Sequence, residues 1–462
     1  MQAYRWIAVA VLVCAGPLAV PGRGGPPGRQ RPNVLFIVSD DQGYGDFGFT
    51  GNAIVKTPVL DRLAAESAVF RNFVVAAACS PSRAAFYTGR NHLLTGVWGV
   101  PPRANLHRDE AIMPAYFKAA GYDTLYVGKG DMARLPGSTP WERGWDDAWT
   151  VSGYQHRDPT MPHRAGTETY SGWTADVMTD LLVDFIRRRR DRPWLATAAF
   201  VIPHLPFACD ATYSAPFREQ GLSPELAECY GSIAQMDACI GRLIEAVRDT
   251  GQDRDTIVVF TSDNGMSSKA TAGREYSDEE WRVRNVAGLR GHKAWVWENG
   301  IRVPLVVRWP DRIPAGDRRQ FGAAEDILPT LLDLAAVPSE GIPHLPLTGV
   351  SLRPALVDAD AAFERPAVLR MAIAGAGSPR GRPGQRIDRR FEDHHLALRG
   401  ARFKYHALPG GRGELYDIEC DPRETTDIAA QHPAVVTSMA GECRRQWDEI
   451  MAGGRAFADP PP

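Results

Sequence analysis

Residues 256–265 read T-I-V-V-F-T-S-D-N-G. From Thr256 to Ser262 the run is continuously apolar or β-branched rather than alternating. That pattern fits a strand buried on both faces of a parallel sheet. Open α/β sheets place their sites at the carboxyl ends of such strands, and this one ends at Asp263-Asn264-Gly265. Residues 33–41, N-V-L-F-I-V-S-D-D, repeat the design and end at Asp40-Asp41. Taken alone, either pair suits a turn. Together they bring three carboxylates and an amide to strand ends, and buried carboxylates are costly unless paired or bound to metal. The donors are hard oxygens without clustered His or Cys, which favours Ca²⁺ or Mg²⁺ over Zn²⁺.

Further elements extend the pattern outward. Thr57 to Phe70 has amphipathic helical spacing and leads into a strand over Phe70–Val75. A helix is expected over Ala111–Ala120, closed by Gly121, then a strand over Tyr122–Val127 followed by Gly128-Lys129-Gly130-Asp131. Thr174–Arg190 reads as a helix and Trp194–Val201 as a strand ending at Pro203-His204-Leu205-Pro206. A long helix spans Pro224 to Asp249. Lys293 sits in a Gly-flanked loop before a strand at Leu305–Arg308, and 323–337 reads as a helix. An Arg/Gly/Pro-rich stretch at 360–390 marks an exposed loop. Beyond it, His395–Leu408 and Glu414–Ile418 read as short antiparallel strands and Pro433–Met451 as a closing helix. The expected fold is α/β: a large mixed, mainly parallel sheet sandwiched by helices, with a smaller C-terminal antiparallel sheet plus helix.

Residues 79–90 read C-S-P-S-R-A-A-F-Y-T-G-R. Pro81 suits the first helical position and Ser80 the cap before it. Cys79 then lies at the positive end of a helix, a ready place for an anion, and Arg83 adds a planar cation suited to an oxyanion. The same residues also suit a capped helix with a small buried thiol.

C-x-P-S-R followed by T-G-R resembles the signature of the type I sulfatases, in the alkaline phosphatase superfamily. Other motifs follow in the family's order: V-S-D-D at 38–41, Gly128-Lys129, Pro203-His204, T-S-D-N-G at 261–265, Lys293, then E-N-G-I-R-V-P at 298–304. Leu415-Tyr416-Asp417 and Asp421-Pro422 resemble the family's tail, so the likeness spans about residues 32–452. The resemblance implies an alkaline phosphatase-like fold and hydrolysis of a sulfate monoester, aryl or carbohydrate. It implies that Cys79 is converted by a maturation enzyme to formylglycine, whose hydrate attacks sulfur. Asp40, Asp41, Asp263, Asn264 and the modified Cys79 would hold one divalent cation, Ca²⁺ or Mg²⁺. Arg83, Lys129 and Lys293 would surround the developing charge, and His204 would protonate the departing alcohol or phenol.

One position departs from that pattern. The family's G-K-W-H is G-K-G-D here, so Asp131 stands where a His is expected. Two residues beyond Lys129 on an extended segment, Asp131 would share its face and could take the proton of the second hydroxyl. The alternative is that Asp131 pairs with Arg134 and leaves His107, His156 or His163 to enter the site. Two other functions stay open: a phosphonate monoester or phosphodiester hydrolase of the same superfamily, and a catalytically lapsed sulfate-binding homologue.

The chain has 462 residues, 44% hydrophobic and 23% charged, with a formal net charge of -2. That composition belongs to a soluble globular protein and gives no basic surface for nucleic acid. Arg5 followed by the apolar run Trp6–Val20, broken at Gly16-Pro17, fits a secretory signal peptide and is too short for a stable membrane span. The expected organisation is a signal peptide at 1–22, a linker at 23–31, a catalytic domain at 32–360 and an α+β subdomain at 361–462. Export would place the protein in the periplasm or outside the cell. Of seven cysteines, Cys14 goes with the signal and Cys79 with the site. An exported protein favours one disulfide among the rest, with Cys420–Cys443 the expected pair.

Overall fold

Strands and helices are interspersed along the chain from Asn33 onward. β1 (Asn33–Ser39) leads through α1 (Pro58–Ala65) to β2 (Ala68–Val74) and α2 (Cys79–Thr88). α3 (Met113–Ala119) precedes β3 (Asp123–Lys129), β4 (Asp147–Val151), β5 (Thr160–His163) and β6 (Gly166–Thr169). Next come α4 (Thr174–Arg188), β7 (Trp194–Ala199), α5 (Ala211–Glu219), the long α6 (Pro224–Asp249) and β8 (Thr256–Ser262). A two-residue ladder, β9 (Ala270–Thr271) with β10 (Arg274–Glu275), precedes α7 (Asp278–Arg284) and α8 (Glu298–Ile301). β11 (Arg302–Arg308), β12 (Gly316–Arg318), β13 (Gly322–Ala323), α9 (Ile327–Leu334) and α10 (Arg353–Val357) follow. The chain closes with β14 (Val368–Met371), β15 (Leu396–Arg399), β16 (Phe403–Ala407), β17 (Gly413–Asp417) and α11 (Pro433–Ala452). The computed structural model describes residues 31–100, 106–130, 138–189, 191–271, 274–373 and 390–453. The expected signal peptide, nearly all of the expected linker, most of the Arg/Gly/Pro-rich loop, Asp131 and Arg134 lie outside the described residues.

The main sheet runs in the order β12-β2-β11-β8-β1-β7-β3-β4-β5-β6, with β13 also on β2. β8, β1, β7, β3 and β4 are parallel neighbours, while β11 runs antiparallel to both β8 and β2. The register sets Leu35 between Ala196 and Val258. Side chains alternate across a strand, so Val34, Phe36 and Val38 enter one core and Leu35 and Ile37 the other. This is why the sequence reads apolar without alternation: both faces are covered. α4 and α6 cover the second face through Met178, Leu182, Phe185, Met236, Ile240 and Leu243. α2, α3 and α9 cover the first through Phe86, Phe117 and Leu331. Each such side chain is worth about 1.5–3 kcal/mol when fully buried.

β14–β17 form a separate antiparallel sheet. α11 lays Cys443, Trp447 and Ile450 against Leu369, Leu398 and Leu415 of that sheet. The two expected strand regions of the tail resolve into three strands, and β14 joins them as an unforeseen fourth. None of the described cysteines is disulfide-bonded, so the expected Cys420–Cys443 bridge is not formed: Cys420 is exposed, whereas Cys443 is buried in the α11 core. Among the described residues, no helix is long and apolar enough to cross a membrane.

Candidate active site

Four adjacent strands, β8, β1, β7 and β3, end on the same side of the sheet. Asp263 and Asn264 follow β8, Asp40 and Asp41 follow β1, His204 lies five residues past β7, and Lys129 is the last residue of β3. The two oxygen pairs are tied by backbone bonds. Asp263 N–H donates to the Ser39 carbonyl (3.2 Å), and Asp41 N–H donates to Asp263 Oδ1 (3.1 Å). Asp41 turns the chain in the left-handed region, φ 65°. Asn264 Nδ2 donates to Asp41 Oδ1 (2.8 Å).

Two glycines let the backbones come this close. Gly128 has φ 127°, and a Cβ there would lie 1.9 Å from the Ala199 carbonyl oxygen of β7. A Cβ on Gly265 would lie 1.7 Å from the Asn299 carbonyl oxygen. Lys129 and the Asp263-Asn264 pair therefore sit where only glycine neighbours allow.

Cys79 opens α2. The expected cap is corrected: α2 begins at Cys79, the cap position is Ala78 without a side-chain bond, and Pro81 is the third helical residue. Ser82 ties the loop, accepting from Ala76 N–H (2.9 Å) and donating to the Ala78 carbonyl (3.0 Å). The change places Cys79 at the first helical position, at the positive end of the dipole. Arg83 is then one turn on, on the same face. Cys79 Sγ lies within 4.8 Å of carboxylate oxygens of Asp40 and Asp263.

Cations answer the carboxylates pairwise. Arg83 Nε donates to Asp263 Oδ2 (2.9 Å), and both side chains are fully buried. Lys129 Nζ is 2.7 Å from Asp40 Oδ2, and Lys293 Nζ donates to Asp41 Oδ1 (2.6 Å). His204 Nε2 is 3.7 Å from Asp41 Oδ2, with Nδ1 2.6 Å from the Leu205 carbonyl oxygen. Burial, with Asp263 and Asp41 alongside, pushes the Asp40 carboxyl well up despite Lys129 and Arg83. Burial would raise Asp41 too, but Lys293, His204 and Lys129 hold it below the usual carboxylate range. Burial, helped by Lys293 and Lys129, lowers the His204 imidazole to about 4 against the pull of Asp41.

The residues fit a divalent cation. Asp40 Oδ1 and Asn264 Oδ1 are buried and, among the described residues, have no hydrogen-bond partner. Such oxygens are expensive unless a cation or donor meets them. Three cationic side chains already balance three carboxylates. A divalent cation would add the two positive charges that a sulfate monoester and an anionic nucleophile would balance.

The structure thus brings together Asp40, Asp41, Cys79, Arg83, Lys129, His204, Asp263, Asn264 and Lys293. Asp131 lies outside the described residues. Of the alternative histidines, His163 is instead stacked on Trp149, with ring centroids 5.7 Å apart, and lies 3.4 Å from Glu168. Sequence reasoning missed Tyr154, which stacks on His204 at 3.8 Å. It sits in a stretch with neither periodicity nor motif, and only the turn dipeptide Ser152-Gly153 marks its neighbourhood.

The sulfatase family model matches residues 32–337. The chain is 30% identical over 397 residues to N-acetylgalactosamine-6-sulfatase of Sus scrofa, covering 77% of this chain and 70% of that protein. It is 28% identical over 372 residues to arylsulfatase A of Homo sapiens, covering 71% and 68%. A crystal structure of Ps i-CgsB aligns with a TM-score of 0.78 and 25% identity, over 90% of this chain and 93% of that one. An α/β sheet of the alkaline phosphatase-like kind, with this centre at its strand ends and these relatives, defines a sulfuric ester hydrolase. The chain belongs to the sulfatase family.

Proposed function

We propose that the protein is an exported, Ca²⁺-dependent sulfatase acting on a sulfated carbohydrate, with formylglycine made from Cys79 as its nucleophile. One observation carries the reading: Cys79, three carboxylates and three cationic side chains converge at the ends of four adjacent strands. Asp40, Asp41, Asp263 and Asn264 would hold the cation together with the modified residue 79. All-oxygen donors without His suit Ca²⁺ before Mg²⁺, because several carboxylates replace the waters that Mg²⁺ keeps. When bound, the cation supplies Lewis-acid activation of the hydroxyl nucleophile. Arg83, Lys129 and Lys293 bind and orient the sulfate oxygens and stabilise their developing charge. His204, drawn back toward its protonated form when the anionic substrate offsets Lys129 and Lys293, delivers a proton from Nε2 to the departing sugar oxygen. Asp131, in place of the family's His, is the candidate base at the second hydroxyl. A carbohydrate substrate is favoured by the likeness to an N-acetylgalactosamine-6-sulfatase.

Cys79 is 1% exposed and Arg83 0%. A maturation enzyme must therefore read the Cys79–Arg83 motif before the chain folds. Steady-state rates on sulfated sugars and aryl sulfate, set against an aryl phosphodiester and a phosphonate monoester, test the function. Sulfate release, lost on chelation and restored by Ca²⁺ with about one ion per chain, is the expected result. Preferential turnover of the phosphorus esters, or two bound Zn²⁺ per chain, would contradict it. Absence of turnover on all four, with residue 79 converted and the cation bound, would identify a lapsed homologue.

A further inference from the structure

Tyr154 belongs to none of the four strands that build the centre. It comes from the loop between β4 and β5, on the far extension of the sheet. Yet its ring lies flat on His204, with centroids 3.8 Å apart and planes 3° from parallel. Lys129 Nζ lies 4.9 Å from the centroid of the same ring. One side chain thus touches both the His and a cation of the centre.

The loop that presents Tyr154 is pinned on both sides. Ser152 N–H donates to the Thr160 carbonyl (3.3 Å), and Thr160 N–H donates to Gln155 Oε1 (3.0 Å). Toward α4, Thr174 N–H donates to the His156 carbonyl (2.9 Å), and Thr174 Oγ1 donates to the Gln155 carbonyl (2.7 Å). Asp158 N–H donates to the Gly172 carbonyl (2.7 Å). Gly153, φ 64°, supplies the turn immediately before Tyr154. The His204 ring turns about its Cβ–Cγ bond, and the Nδ1 bond to the Leu205 carbonyl (2.6 Å) restrains that torsion at a single point, leaving the ring free to rock. A flat aromatic contact removes that remaining freedom, because any rotation of the imidazole out of plane would collide with the phenol ring.

We propose that Tyr154 is a positioning residue: its ring face fixes the plane of His204, and with it the direction in which Nε2 can deliver a proton. The inference rests on the reading of His204 as the acid for the leaving group. The stacked ring face is the part that does this. The β4–β6 extension thereby has a task, since it carries the loop that holds the acid in line.

A proton donor matters most when the leaving group is a poor one. The test uses 4-nitrophenyl sulfate and phenyl sulfate with His204→Ala, Tyr154→Leu and Tyr154→Phe, all with residue 79 converted. His204→Ala should lose about 100-fold or more in kcat on phenyl sulfate and far less on 4-nitrophenyl sulfate. Tyr154→Leu should show the same asymmetry at about tenfold, with KM little changed, and Tyr154→Phe should behave as the parent. An unasymmetric loss in Tyr154→Leu, or none, while His204→Ala shows the asymmetry, would overturn the role of Tyr154. A symmetric His204→Ala would instead overturn the acid assignment. A second readout is independent of turnover. In protein carrying ring-labelled histidine, His204 is identified by its absence from the His204→Ala spectrum. Its ring proton should be shifted upfield by the stacked phenol, as in Tyr154→Phe, and should move downfield in Tyr154→Leu. An unmoved His204 signal would overturn the stack itself.

Discussion

Lys293 shows how much a single side chain is asked to do. Burial would lower its ammonium, yet Asp41 raises it, so it stays charged beside the carboxylate. Its loop is held by Lys293 N–H to the Met266 carbonyl (2.9 Å) and Ala294 N–H to the Ala77 carbonyl (2.7 Å), two residues before Cys79. Lys293→Ala should lower kcat about 100- to 1,000-fold with a smaller change in KM. Steady-state rates on one sulfated substrate check this, and an unchanged kcat would remove Lys293 from the transition state. The convergence of Asp40, Asp41, Asp263, Asn264, Cys79, Arg83, Lys129, His204 and Lys293 was legible in the sequence, because each belongs to a short motif in or just after a strand, helix start or Gly-flanked loop. Tyr154 was not. A stacking partner needs only a ring in the right place, and no spacing rule marks it.

β3 and β7 illustrate the same point for elements. Gly128 allows them to pack where a side chain would strike the Ala199 carbonyl. Gly128→Ala should cost more than about 1–3 kcal/mol, from the unfavourable φ and the clash together, and displace Lys129. Denaturant unfolding should show it, and an unaltered midpoint would refute the close approach. At the other end of the sheet, Arg308 of β11 grips Asp253 ahead of β8 with two bonds, 2.8 and 3.0 Å. The hydrogen bonds from Arg308, outweighing partial burial, lower the Asp253 carboxyl. A depressed carboxyl adds stability above its unfolded value, near 3.9, and loses it as pH falls through the folded one. Asp253→Asn should therefore destabilise by up to about 1 kcal/mol near neutral pH, with the difference from the parent shrinking below about pH 4. A constant difference across pH 3 to 7 would contradict the pairing. The central strands could be read because both faces are apolar. β4–β6 could not, since they are short and half polar, nor could β14, a four-residue strand interrupted by Arg370. The Cys420–Cys443 expectation rested on compartment alone, and the burial of Cys443 between α11 and the small sheet overrides it.

Across the whole molecule, the small sheet is joined to the catalytic sheet through buried charge. Glu298, on the helix that follows the Lys293 loop, accepts from Arg399 Nε (3.1 Å) and Lys404 Nζ (3.0 Å) of β15 and β16. Arg399 also donates to Asn72 of β2 at 2.5 Å. Burial would raise Glu298, but Arg399 and Lys404 hold it below the usual range. Glu298→Gln leaves two buried cations short of a partner and should cost about 3–5 kcal/mol, read as a lowered thermal midpoint; no change would mean this ion cluster bears little stability. The mainly parallel sheet and the C-terminal antiparallel sheet were both legible from pattern, but this join was not, since its charged residues resemble surface positions in the sequence. On the proposed reading, burial of Cys79 makes the history of the whole chain matter, because conversion would have to come before folding. The most direct measurement is the fraction of Cys79 converted, read by peptide mass spectrometry, against turnover per chain in preparations made with and without a maturation enzyme. Turnover should rise in proportion to the converted fraction and vanish where Cys79 is intact. Full turnover by protein whose Cys79 is wholly unmodified would contradict the account.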